Sequence, residues 1–176
     1  MQHNPQTRCP ALTAVEPIGV IHTPFTAVSG TPIQSAAAGE AEGVVEIFPR
    51  FVQGLADIEG LERLWLIYLF HRAAPAQLMV RPFLDNAEHG IFATRSPARP
   101  NHLGLSPVRL LRVEQNRLYV SQVDMIDGSP LLDIKPYVPE FDHFAVTRTG
   151  WYKGKSPKGV VADDRFALID PPDSDR

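Results

Sequence analysis

Seventeen of the 176 residues are proline. A proline inside a helix removes a hydrogen bond and clashes with the preceding turn, so a chain interrupted this often does not build a bundle of long helices. What the prolines and glycines separate are short apolar runs. The length suits one domain, and folding at that size buries about 70% of the unfolded surface without a disulfide or metal staple. With 17 basic and 20 acidic residues the net charge is −3, which excludes a basic, non-specific nucleic-acid coat. The single Cys9 rules out an internal disulfide framework and points to a reducing cytoplasm. No apolar run reaches the roughly 18 residues of a membrane span, and the opening MQHNPQTRCP lacks a basic-then-apolar signal pattern. A cytoplasmic chain is expected.

Residues 1–14 read as a flexible N-terminal segment, 15–160 as the folded domain, and 161–176 as an acidic, solvated tail containing Pro171-Pro172. Within the domain, Ile18, Val20 and Ile21 open the apolar signal. Residues 26–42 form a long loop of small residues, and such loops inside a domain tend to be functional or disordered. Residues 43–48 read as a short strand closed by Pro49. Phe51, Leu55 and Ile58 recur at helical spacing, enough for two turns ending near Gly60. The seven-residue run Leu64 to Phe70 reads as a strand buried on both faces. Residues 78–80 and 91–94 are shorter strand candidates. Residues 108–113 and 118–123 flank a hairpin turn at Glu114-Gln115-Asn116-Arg117, and 131–134 is the last strand. This spacing predicts an all-β, mainly antiparallel sandwich or barrel with short helices.

The glycine fingerprints of the two common phosphate cradles are absent, as are H-E-x-x-H, C-x-x-C and G-x-S-x-G. The histidines are scattered, so no metal site is expected. Three segments stand out. Phe70-His71-Arg72 ends the apolar strand, where a strand either merely surfaces or offers ligand contacts. Residues 93–106 carry Arg95, Arg99, Asn101 and two prolines, a stiff loop whose guanidinium forks suit carboxylate or phosphate. Residues 124–137 set Asp124, Asp127 and Asp133 among apolar residues, with Asp127-Gly128 as a turn. Charge is also uneven. Residues 95–117 hold five arginines against Glu114, and residues 147–159 hold four basic residues and no acid, each stretch a net +4. Two local excesses on an acidic chain fit a specific anionic partner.

Taken in order, Ile18-Gly19-Val20-Ile21-His22-Thr23-Pro24-Phe25, Val45-Glu46-Ile47-Phe48-Pro49, Leu64-Trp65-Leu66 leading to Phe70-His71, Ala93-Thr94-Arg95-Ser96-Pro97-Ala98-Arg99-Pro100-Asn101 and Asp127-Gly128-Ser129-Pro130-Leu131-Leu132-Asp133-Ile134-Lys135-Pro136-Tyr137 resemble the TsaA-like family. Its characterised members are tRNA methyltransferases of the TrmO type. The likeness spans about residues 17–142. It implies a non-Rossmann β-barrel, a homodimer with S-adenosylmethionine held near the subunit interface, and methylation of N6 of threonylcarbamoyladenosine beside the tRNA anticodon.

The resemblance also implies site residues. The family's cofactor loop matches Pro32, Ile33 and Gln34, with Ser35 where a second proline is usual. His71, Arg72, Arg95, Leu105 and the turn Asp127-Gly128-Ser129-Pro130 complete the implied cofactor contacts. Asp127, Asp133 and His71 are the candidate general bases, because the acceptor nitrogen must lose a hydrogen. Arg99, Asn101, Lys135, Tyr137, Lys153 and Lys155 are the candidate RNA contacts. His102 stands where the family usually has proline. The chain is shorter than members with an extra C-terminal domain, so two other readings stay open: the same chemistry on another RNA or a small molecule, and a module that binds the cofactor without turnover.

Overall fold

The computed structural model describes residues 14–168. The expected flexible segment up to Ala14, except Ala14 itself, and the last eight residues of the expected tail lie outside them. Among the described residues eight strands are formed: β1 (Gly19–His22), β2 (Glu42–Ile47), β3 (Arg63–Leu69), β4 (Met79–Val80), β5 (His89–Gly90), β6 (Leu103–Glu114), β7 (Arg117–Ser121) and β8 (Ser129–Pro136). Six of them close a barrel in the order β1-β2-β7-β6-β3-β8, with every neighbouring pair antiparallel. Beside it β4 and β5 make a two-stranded ribbon. The only α-helix among the described residues is one turn, α1 (Pro139–Asp142). The expected all-β barrel is what forms.

Alternation along the strands builds the core. Ile21, Val45, Ile47, Leu64, Leu66, Val108, Leu118, Val120 and Leu131 point inward and are fully buried or nearly so. The β6–β7 hairpin turns where expected, with Gln115 in the left-handed region at φ 56°. A smaller cluster of Val80, Ile91, Ala98 and Phe166 holds the ribbon and the loops against one side.

Four expectations are corrected. β3 is buried on one face, not two: Leu64, Leu66 and Tyr68 face inward while Trp65 and Ile67 stay half-exposed, because a single-layered barrel has one dry side. The helical spacing of Phe51, Leu55 and Ile58 yields tight 3-10 turns at Pro49–Leu55 and Ile58–Gly60, interrupted by Asp57 at φ 65°. Residues 91–94 are not a strand; Ile91–Ala93 coil into a 3-10 turn held by the Thr94 hydroxyl, which donates to the Ile91 carbonyl at 2.9 Å. The boundary at 160 falls inside packed structure. Val161 bridges to Pro32, the Ala162 N–H donates to the Thr31 carbonyl at 2.8 Å, and Phe166 is 4% exposed. One buried aromatic outweighs the acidic composition around it.

Candidate active site

A cavity of about 710 Å³ lies where β3 ends and β6 begins. The loops ahead of β2, β6 and β8 supply its walls, and residues from the 149–166 segment cover it. Two antiparallel neighbours therefore deliver His71 and Arg72 from one side and Leu103 to Ser106 from the other. β6 starts at Leu103, inside what the sequence suggested was loop, so Leu105 and Ser106 stand on a strand.

Arg95 is a cation in the cavity wall. It is exposed, and its Nη1 donates to Gln34 Oε1 at 2.7 Å, a neutral partner that leaves the positive charge uncompensated. Arg72 donates to the Thr26 carbonyl at 3.2 Å. Partial burial, then the Arg72 guanidinium, lower the pKa of His71 from its ordinary value. Pro32, Ile33, Gln34 and Ser129 line the same space.

The deep end of the cavity holds a group that was not among the candidate site residues. Tyr68 and Ser106 are each 2% exposed, and their hydroxyls meet at 3.1 Å. Beside them lies Asp124, whose carboxyl is pushed up to about 6 by desolvation, only partly opposed by the hydroxyls of Ser106 and Ser35. Burial, then the Asp124 charge, raise the Tyr68 phenol well above its ordinary value. Asp124 Oδ1 and Ser35 Oγ are buried without any hydrogen-bond partner. The signal available in the sequence was an acid set between Val123 and Met125, both buried here. Alternation alone would have turned Asp124 outward. It lies in the irregular stretch between β7 and β8, where strand alternation no longer applies.

Several candidates are placed elsewhere. Asp127 is not in the cavity wall; its Oδ1 accepts the Thr23 N–H at 3.0 Å and faces His22 at 3.5 Å, tying the turn to β1. Gly128 takes φ 77° in that turn, and Pro130 sits in β8 opposite Val20 of β1. Asp133 is removed from the candidate bases, because it pairs with Lys135 at 2.8 Å outside the cavity. The same bond occupies Lys135, and Tyr137 packs on Trp65 with ring centroids 5.6 Å apart. Arg99 lines the cavity, yet its Nη1 is spent on the carbonyls of Thr94 at 2.9 Å and of Ile91 and Ser96 at 3.4 Å. Through that nitrogen it braces the loop. Asn101 is exposed and outside the wall. Its neighbour His102 holds φ 29°, a value closed to proline, so this corner departs from the family's usual proline.

The two basic stretches also separate. Arg112 lies about 20 Å along β6 from Ser106, at 3.3 Å per residue, and Arg117 starts β7 opposite Glu114; they pair with Glu114 and Glu46. Lys155 reaches the cavity rim but pairs with Asp85 at 3.3 Å, while Lys153 is exposed. Trp151, which the sequence reading did not single out, stacks on His89 and on Tyr152 with centroids 4.4 and 3.8 Å apart, forming an aromatic edge to the cavity. Among the described residues no group of three His, Cys, Asp or Glu could hold a metal ion, and no helix is long and apolar enough to cross a membrane.

The family model described as the tRNA-methyltransferase O N-terminal domain matches residues 20–143. A Pyrococcus abyssi protein named "Probable S-adenosyl-L-methionine-binding protein" is 51% identical, covering 88% of this chain and 84% of its own length. The Mus musculus tRNA (adenine(37)-N6)-methyltransferase is 38% identical over 76% of this chain, which spans only 33% of that enzyme. The crystal structure of TrmO from Pseudomonas aeruginosa superposes with a TM-score of 0.67 at 39% identity, covering 80% of this chain and 62% of that one.

Proposed function

The chain belongs to the tRNA-methyltransferase O N-terminal domain family, and from that premise we propose that it binds S-adenosylmethionine and methylates N6 of threonylcarbamoyladenosine beside the anticodon of tRNA. One observation carries this reading. A single cavity of about 710 Å³ presents an uncompensated guanidinium, Arg95, near its mouth and a buried, unpartnered carboxylate oxygen, Asp124, at its depth.

Those groups fit the cofactor, which carries a carboxylate, two cationic centres and an adenine. Bound, it supplies a methyl group on a sulfonium, ready for in-line displacement. Arg95 offers its carboxylate a charge-assisted fork, and the Gln34 amide holds that fork in place. Pro32, Ile33 and Leu105 supply apolar wall. The residues then act chiefly by holding two reactants in line, the source of much of the acceleration in such reactions. The lowered pKa of His71 favours its neutral form, which does not oppose a sulfonium. The exposed Phe92, Leu103 and Leu105, at 78%, 45% and 53%, leave apolar surface beside the cavity that suits the homodimer of the family resemblance.

Methylating bulk tRNA from a strain lacking this methylation, with nucleoside mass spectrometry, tests the proposal. A mass gain on threonylcarbamoyladenosine is expected. Gain on a different nucleoside moves the acceptor, and cofactor binding without any gain leaves a binding module.

A further inference from the structure

We propose that Asp124 is the catalytic base that takes the proton from the acceptor nitrogen. The proposal rests on the methyltransferase reading above and adds to it a residue and a proton path.

The geometry comes first. Asp124 lines the cavity at its deep end, and its Oδ1 has no hydrogen-bond partner. A buried acceptor left unpaired is costly, more so for a charged group, so a fold keeps one where a ligand completes it. The groups facing it are the Ser106 hydroxyl from β6, the Tyr68 phenol from β3, and the Ser35 hydroxyl and N–H from the turn Ser35–Ala37. Ser106 is engaged with Tyr68 at 3.1 Å, and Ser35 Oγ is itself unpartnered. None of these neutral groups neutralises the carboxylate.

The chemistry follows. As the acceptor nitrogen forms its bond to the methyl carbon, the carbon–sulfur bond breaks and its electron pair stays on sulfur, leaving a neutral thioether. The N–H bond breaks and its proton passes to Asp124, giving N-methylated product and a neutral carboxylic acid. Charge and atoms balance with no further reactant. A carboxyl near 6 accepts a proton at neutral pH and returns it to water after product leaves. A sulfonium in the same cavity favours the ionised form, so cofactor binding readies the base.

The other acids are less well placed. Asp133 is paired outside the cavity, and Asp127 is engaged by the Thr23 N–H.

The test compares wild type with Asp124→Asn, an isosteric change. Calorimetry measures cofactor affinity. Single-turnover methyl transfer to tRNA is followed from pH 5 to 9, and carboxyl infrared difference spectra follow titration of the free and cofactor-bound protein. Support is a loss of transfer of at least about a hundredfold, the lower range for a positioned base, with cofactor Kd within threefold. The infrared band absent from the variant should titrate near pH 6 and shift lower with cofactor. Transfer within tenfold of wild type overturns the proposal. So does a Kd that rises as much as the rate falls, which makes Asp124 a counter-ion to the cofactor. Wild type that transfers no methyl to tRNA fails the underlying reading and takes this proposal with it, whereas an active wild type beside an active variant fails the proposal alone.

Discussion

The ring of Tyr68 occupies the space that a side chain at Gly104 would need. The two residues are register partners on β3 and β6, and a Cβ built on Gly104 would overlap the phenol ring. Glycine there lets the ring lie flat across β6 and brings its hydroxyl to Ser106 at 3.1 Å, beside Asp124. A missing methyl group thus shapes the deep end of the cavity.

Gly104→Ala tests this directly. The ring cannot shift without disturbing the buried core around it, so overpacking should cost about 1–3 kcal/mol. Urea unfolding should show a lower midpoint at unchanged slope, with weaker cofactor binding. An unchanged midpoint would mean that the ring moves freely.

Arg95→Ala should weaken S-adenosylmethionine binding. A hydrogen bond to a charged partner contributes about 1.5–3 kcal/mol, a loss of roughly ten- to a hundredfold in Kd. Calorimetric titration measures it, and an unaltered Kd would take Arg95 out of the site.

Asp124 makes stability depend on pH. Its carboxyl is raised from 3.8 to about 6 in the folded chain, so between those values the folded state binds more protons than the unfolded one. This contribution is fully present below pH 3.8 and is lost as pH rises through 6. At 1.36 kcal/mol per pKa unit the full change is about 3 kcal/mol. Asp124→Asn, which cannot ionise, should therefore exceed wild type in stability at pH 8 and lose most of that advantage near pH 4. Chemical denaturation at both values decides it; an equal difference at the two would contradict the buried charge.

Salt dependence should single out Lys153. It is exposed, whereas Arg112 is held by Glu114 and stacks on Tyr119. If Lys153 meets a phosphate, Lys153→Ala should reduce the log–log salt slope of tRNA binding by about 0.7–0.9. Arg112→Ala should leave it unchanged. The reverse pattern would put the RNA across the far end of β6.

The strands were legible because a barrel wall repeats every two residues. Leu118 and Val120, Leu64 and Leu66 announce an inward face, and the Gln115-Asn116 turn lies between two such runs. Leu103 to Pro107 were harder, since Gly104 and Pro107 look like loop residues yet pair with Tyr68 and Trp65 in β6. Phe166 was hidden by the acids around it, which say nothing about one aromatic filling a gap beside Val80 and Ile91. For the cavity, Pro32 to Gln34, His71, Arg72, Arg95 and Leu105 were readable from motif order, and all line it.

The sequence by itself determined the all-β architecture, the family, and the loop arginine in the cavity wall, because each depends on local pattern or motif order. Only the tertiary structure decided which charges are available. Asp133 is paired two residues away with Lys135, Lys155 is engaged by Asp85 from a distant loop, and Arg99 is spent on backbone carbonyls. Asp124 Oδ1 is left buried and unpartnered. The reason is physical: the state of a charge depends on what surrounds it within a few ångströms, and those neighbours come from β3, β6 and a loop far apart along the chain.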